Sequence, residues 1–397
     1  MSQSAIKIGR QFVMPSSQEI AAVSPREHIC LSIFGRCGAL FLHSLFDGHP
    51  SLTTAPGVAP YKLLAIYTES LNGREVMSRQ ALAAKAAYLF CDAFNQPYLR
   101  ADAGLDRLGP QGDAVAEINQ EAFEKHLASV LAVAPDLSIQ SFSEAIHYAF
   151  DKALDMPVRE KIFLHLHTVL PAQSEAILNG LVHRHVIFLV REPLDNVESI
   201  AVHLLSDPDR KRNRLSKFYS MVGGMMLFQR GQPFLRDKAV AVKLEDLKRH
   251  KETFLRKLCE EIDLGFDESL MSSTVLGLQY HSAPTQRNPG MSGFTAPSSQ
   301  PQGYRLSAKD RQIFAALFDP ISSFMDYPRG SGMTMDEAVL YLDRNVLDVE
   351  VAFAQMAGIS PQDFGLQADV RNFREVLKHL VQERTNGLEC RRLLFPA

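Results

Sequence analysis

Four short apolar runs, each followed by a helical pattern, limit what this chain can fold into more than any other feature. They are Ile29–Phe34 (ICLSIF), Lys161–Leu166 (KIFLHL), His185–Val190 (HVIFLV) and Ala239–Leu244 (AVAVKL). None alternates strictly between apolar and polar residues, so each predicts a strand buried on both faces. The helical patterns that follow are Ala39–Phe46, Gln173–Leu181, Asp195–Leu205 and Lys251–Ile262. Strands alternating with helices predict an α/β fold with a parallel central sheet flanked by helices.

The stretches between are less informative. Residues 1–27 read as a lead-in with little periodicity, and residues 76–155 are mostly helical in pattern around a loop at Gly104–Gly112. Asp47-Gly48-His49-Pro50 stops the first helix, with Gly48 expected in a left-handed C′ conformation and Pro50 unable to continue the helix. Residues 282–304, rich in Gly, Pro and Ser, predict a long loop of the functional or disordered kind. Helix resumes at Ser307, where Asp310 has capping-box spacing. Beyond a break at Tyr327–Gly332, the tail Thr334–Phe395 is expected to be all helical.

Composition narrows the partners. With 46% hydrophobic and 22% charged residues the chain can fill a sizeable core, and a formal charge of −3 provides no global field for nucleic acid. An anionic ligand therefore needs a local site. The five cysteines (Cys30, Cys37, Cys91, Cys259, Cys390) are dispersed, without metal-ligand spacing, which suits a reducing compartment and predicts no metal site. No signal-peptide h-region and no membrane-spanning apolar stretch are read, so a cytoplasmic protein is expected.

Gly35-Arg36-Cys37-Gly38 lies where the first strand meets the first helix. Small residues there let backbone N–H groups converge on an anion at the positive end of the helix, and Arg36 adds a charge that forks onto phosphate or sulfate oxygens. The same segment also reads as a plain tight turn. It lacks a Gly-Lys-Ser/Thr ending, so the hydroxyl that ligates magnesium in nucleoside triphosphatases is missing. A second basic point is Arg191, at the end of HVIFLV, with Ser199 on the next helix and Pro193 in its first turn. Arg191 is expected either in an anion pocket or in a surface ion pair with Glu192 or Asp195.

Together these segments resemble the sulfotransferase family, whose members use 3′-phosphoadenosine 5′-phosphosulfate (PAPS) on a P-loop-like α/β fold. The resemblance rests on Gly35-Arg36-Cys37-Gly38-Ala39-Leu40-Phe41-Leu42, then Leu45-Phe46-Asp47-Gly48-His49-Pro50, and on Arg191 with Ser199 eight residues later. Lys243-Leu244-Glu245-Asp246-Leu247 is similar to a structural Glu-Asp-Leu that follows a later strand in the family. The resemblance covers residues 28–327, with a helical acceptor-side insertion at about 56–160 and a helical extension at 328–397 outside it. It implies that Gly35, Arg36, Cys37, Gly38, Ala39 and Leu40 hold the 5′-phosphosulfate, and that Arg191 and Ser199 hold the 3′-phosphate. Arg287, Gly290 and Gly293 correspond in position to a late segment that covers the 3′-phosphate. Cys37, Ala39 and Leu40 stand where the family carries hydroxyl residues.

The resemblance further implies a metal-independent, in-line transfer of a sulfuryl group from PAPS to a hydroxyl or amine, with Arg36 neutralising charge on the leaving group. His167 or His165, on one face of the second apolar run, would be the base, with His167 preferred by its spacing to Arg191. The acceptor is expected to be a small molecule, glycan or lipid, and the tail to cap its cleft or to make a homodimer contact. Two alternatives stand beside this: a non-catalytic nucleotide-binding or scaffold protein on the same fold, and a P-loop phosphotransferase.

Overall fold

The computed structural model describes residues 25–33, 35–57, 59–71, 78–97, 100, 104–167, 171–182, 184–205, 214–229, 238–281, 305–328, 330, 332–360, 374–375, 390–393 and 395. All four predicted strands are present: β1 (Glu27–Ile33), β3 (Lys161–His167), β4 (Arg184–Val190) and β5 (Ala239–Lys243). Two further strands, β2 (Leu52–Thr54) and β8 (Arg391–Arg392), complete a six-stranded sheet in the order β2-β3-β1-β4-β5-β8. Every pairing in it is parallel.

The two faces of the sheet bury different sets of residues. On one face, Ile29, Leu31, Phe163, Ile187, Leu189, Val240 and Val242 pack under α1 (Ala39–Phe46), α9 (Leu244–Arg249) and α10 (Lys251–Glu261). On the other, Cys30, Ile162, Leu164, Leu166, Val186 and Phe188 meet α2 (Ala59–Leu71), α5 (Ile139–Ala153), α7 (Pro193–Leu205) and α8 (Arg214–Gln229). Burial on both faces is the reason these strands read as continuous apolar runs. Helices α3 (Arg79–Asn95) and α4 (Gln120–Val133) build outward from α2 and α5, stacking Phe90 on Phe123. Helix α6 (Pro171–Gly180) fills the connection from β3 to β4. The C-terminal helices α11 (Ala308–Leu317), α12 (Asp319–Phe324), α13 (Met335–Arg344) and α14 (Asp348–Ala357) join the second core through Phe314, Phe318, Leu342 and Phe353.

Several local expectations need correcting. Leu244 opens α9 instead of ending β5. Gly48 has no positive φ; a side chain there would bring its Cβ within 3.3 Å of Ser269 Cβ, so close packing is what needs the glycine. Ser307 does cap α11, accepting from Asp310 N at 3.0 Å. The Asp310 carboxylate turns away from the box to accept from Val349 N (2.8 Å) and Asp348 N (3.2 Å), tying α11 to the start of α14. The tail is not all helical. Leu393 N donates to Ala241 O at 3.1 Å, and Phe395 stacks on Phe254 at 5.3 Å, so the chain end returns to the β5 edge. Among the described residues no helix is long and apolar enough to cross a membrane.

Candidate functional site

Strand order fixes where a site can form. The chain runs from β1 outward to β2 on one side and from β4 outward to β5 on the other. The carboxyl ends of β1 and β4 therefore flank the point where the connections diverge, which is where parallel sheets open a crevice. Ser32 pairs with Phe188 in the β1–β4 register, so Gly35 and Arg191 each stand three residues past that pair, on neighbouring strands. The two basic segments, far apart in sequence, come together here: Arg191 Nη1 donates to Arg36 O at 3.4 Å.

The turn before α1 is built for exposed amides. Gly35, Arg36 and Gly38 all have positive φ (69°, 53° and 90°). For Arg36 this left-handed backbone costs roughly 1–2 kcal/mol. Gly38 suits its φ of 90°, and a Cβ there would lie 2.8 Å from Leu244 Cδ1 on α9, which would have to shift. Gly38 caps α1 without any side-chain bond, and the first turn of α1 carries no acidic residue. No carboxylate in the first turn therefore competes with an anion for the positive end of α1. Cys37 and Ala39 bury their side chains among Leu42, Leu45 and Val242, and only their backbone groups can serve a ligand.

Arg191 is half-buried and forms no ion pair with Glu192 or Asp195. Glu192 instead uses its carboxylate to accept from Asp195 N (2.6 Å), capping α7, and burial raises its pKa above the ordinary carboxylate value. Burial raises Asp195 as well, with Arg191 opposing. Ser199 lies on α7, partly exposed. A cation the sequence did not single out is Lys248 on α9: burial, and then the nearby Arg191 guanidinium, lower its pKa below the usual lysine value.

His165 and His167 both lie on β3. His165 is 2% exposed and its ring centroid lies 5.6 Å from that of His43, whose own ring meets Phe163 edge-on at 5.3 Å. His165 is therefore packed beneath α1. His167 ends β3, paired in register with Ile33, two residues before Gly35; its side chain lies outside the described residues. Arg287, Gly290 and Gly293 also lie outside them.

The described residues on either side of positions 282–304 are hydrogen-bonded to the body of the protein. His281 Nε2 meets Gly109 O at 2.5 Å, in the loop of the helical insertion. On the other side, the wholly buried Glu198 carboxylate accepts from Arg305 (2.7 Å), Arg311 (2.5 Å) and Leu306 N (3.3 Å). Glu198 precedes Ser199, so the far anchor sits on the helix expected to touch a ligand. Sequence carried no signal for this hub, because its members are over a hundred residues apart. Among the described residues, no group of three or more His, Cys, Asp or Glu is placed to hold a metal ion. Arg36, Arg191 and Lys248 near a helix N-terminus with no acid in its first turn are a setting that suits an anion.

No family model matches this chain, and no curated protein sequence matches it. Among solved structures it is similar to the sulfotransferase domain from the curacin biosynthetic pathway, with 17% identity over 77% of this chain and 99% of that one and a TM-score of 0.42. It is also similar to the sulfotransferase domain from the Synechococcus PCC 7002 olefin synthase, with 16% identity over 88% of this chain and 98% of that one and a TM-score of 0.36.

Proposed function

We propose that this protein is a PAPS-dependent sulfotransferase acting on a hydroxyl or amine of a small molecule, glycan or lipid. The observation that carries the reading is the Arg191–Arg36 contact, which joins the two anion-holding segments at the sheet's divergence point. Bound PAPS supplies a sulfuryl group activated on its 5′-phosphate oxygen. Arg36 and the backbone amides of Gly35 to Leu40 would hold that phosphosulfate and take up charge as its S–O bond breaks. Arg191 and Ser199 would hold the 3′-phosphate, with Arg287 and Gly290 assigned to the same end. His167 would take the acceptor's proton while the acceptor oxygen or nitrogen bonds to sulfur opposite the leaving phosphate. His165, packed against His43, is left as its support.

Calorimetry with 3′-phosphoadenosine 5′-phosphate tests the donor assignment. Wild type is expected to bind, and Arg191→Ala to weaken binding by about thirtyfold, the share of one charge-assisted contact of about 2 kcal/mol. No binding, or binding indifferent to Arg191→Ala, would sink the assignment. Transfer from labelled PAPS then separates enzyme from scaffold. In that assay His167→Ala is expected to lose about a hundredfold in rate, and full activity in the variant would remove His167 as the base.

A second reading follows from the buried side chains of Cys37 and Ala39. With no hydroxyl in the loop, the protein would bind the nucleotide through its backbone without turning it over. Nucleotide binding without label transfer would favour that reading.

A further inference from the structure

We infer that Tyr327 and Glu245 are positioning residues that hold Arg191 in place from both sides. This rests on the reading of Arg191 as the 3′-phosphate ligand.

Arg191 is the first residue past β4, where sheet pairing stops at Val190 opposite Lys243. A strand end without ladder bonds frays, and a guanidinium carried on it would wander. Here the peptide units on both sides of Arg191 are gripped. On the near side the Tyr327 hydroxyl lies 3.3 Å from Val190 O, and on the far side Glu192 N donates to Glu245 Oε1 at 3.1 Å. The two grips are one unit, because the Tyr327 hydroxyl shares its single proton between Glu245 Oε2, at 2.6 Å, and the more distant Val190 O.

Tyr327 is itself fixed. It is buried, its N–H donates to Ser322 O at 2.8 Å, and Lys243 Nζ sits 4.8 Å above its ring. Burial and the adjacent Glu245 carboxylate lift the phenol well above its ordinary pKa, so it remains a donor throughout the physiological range. Glu245 lies in the first turn of α9, which follows β5 directly, so the clamp joins β4 to β5 at the edge where the ligand would lie. Tyr327 and Glu245 do not bond to the 35–41 turn themselves, and Arg191 reaches it only by the long Nη1 bond to Arg36 O at 3.4 Å, so the clamp's effect should fall mainly on the 3′-phosphate.

The test compares two probes, 3′-phosphoadenosine 5′-phosphate and adenosine 5′-phosphate, by calorimetry on wild type, Tyr327→Phe, Glu245→Gln and Arg191→Ala. Wild type is expected to prefer the bisphosphate. Tyr327→Phe and Glu245→Gln should each weaken bisphosphate binding about tenfold, or about 1.4 kcal/mol. Affinity for the monophosphate should stay within about twofold, because a charged contact keeps its strength only while its geometry holds. Thermal melts identify a variant that has lost its fold, and the other variant then decides. If both variants keep the wild-type preference while Arg191→Ala abolishes it, the clamp is overturned and the ligand reading stands. An equal loss for both probes would also overturn the clamp, as general damage. If Arg191→Ala keeps the preference, the ligand reading fails and the clamp's role falls with it.

Discussion

Taking this protein from pH 7 to pH 5 is expected to lower its unfolding free energy by about 3 kcal/mol. The cause is a set of histidines folded in their neutral form. His28 on β1, His43 on α1 and His147 on α5 are all buried. Burial holds His43 at a pKa of about 4 and His147 at about 3, and holds His28 well below its ordinary value. Arg26, a guanidinium only 2% exposed, lowers His28 and His147 further. Two of the rings are also hydrogen-bonded: His28 Nε2 meets Ser143 Oγ at 2.9 Å, and His147 Nδ1 meets Ser143 O at 2.8 Å, a bond that opposes the effect of burial without overcoming it.

In the unfolded chain these groups take up protons near pH 6.5, whereas in the folded chain they resist until well below that. Stability is therefore complete above about pH 6.5 and falls as the pH drops towards the folded values, by up to about 1.4 kcal/mol per pH unit for each histidine. Asp151 on α5 works in the opposite direction. Burial pushes its carboxyl up to about 7, despite the donor Thr53 Oγ1 at 2.5 Å, so it binds a proton on folding between about pH 4 and 7 and offsets part of the loss. Asp151→Asn keeps an acceptor for Thr53 and removes the offset. Its loss from pH 7 to pH 5 should steepen to about 6 kcal/mol, and it should be more stable than wild type above neutrality. Urea midpoints at each pH read this directly. A flat wild-type profile across this range would refute the neutral buried set.

Asp47→Ala should cost about 4 kcal/mol, near the top of the range for one substitution. Asp47 follows α1, is 3% exposed and uses both carboxylate oxygens. Oδ1 accepts from Thr54 Oγ1 and Leu276 N, both at 3.0 Å; Oδ2 accepts from Thr274 Oγ1 (3.0 Å) and Gly277 N (2.9 Å). One side chain thus fastens the end of α1 to β2 and to the hairpin of β6 (Thr274–Val275) and β7 (Leu278–Gln279). The hairpin turn needs this help, since Leu276 sits at φ 54°, where a branched side chain is strained. Each bond to a charged acceptor is worth roughly 1.5–3 kcal/mol, but water can replace part of that at a hairpin, so the sum is not additive.

Asp47→Asn should recover little, because its NH2 group would face N–H and O–H donors. Damage should spread to the Gly104–Gly112 loop, where Leu108 bridges to Tyr280 and Gly109 N donates to Gln279 O at 2.9 Å. Chemical denaturation together with limited proteolysis of that loop checks both parts, and a loss below about 1 kcal/mol would refute the anchor role.

What the amino-acid order decided alone was whatever depends on neighbours along the chain. Buried strands are apolar at every position, so β1, β3, β4 and β5 announced themselves, and with them the alternating α/β layout. The turn at Gly35–Gly38 was legible because its two glycines mark the junction of strand and helix, while the left-handed backbone of Arg36 between them was not. Strand β2 escaped notice because its side chains are satisfied at a distance, Thr53 by Asp151 and Thr54 by Asp47. Strand β8 is two arginines, an edge strand held by backbone bonds and by ion pairs to Glu261 (2.6 Å) and Asp326 (3.0 Å), without a side-chain pattern.

The tertiary structure alone decided how separate segments meet. Both Arg36 and Arg191 could be read as strand-end cations, but only the sheet order puts them on adjacent strands and brings them into contact. The buried Glu198 hub and the Tyr327–Glu245 clamp were silent in sequence for the same reason. A hydrogen bond between residues 82 or more positions apart is set by packing of the whole core, and no local periodicity records it.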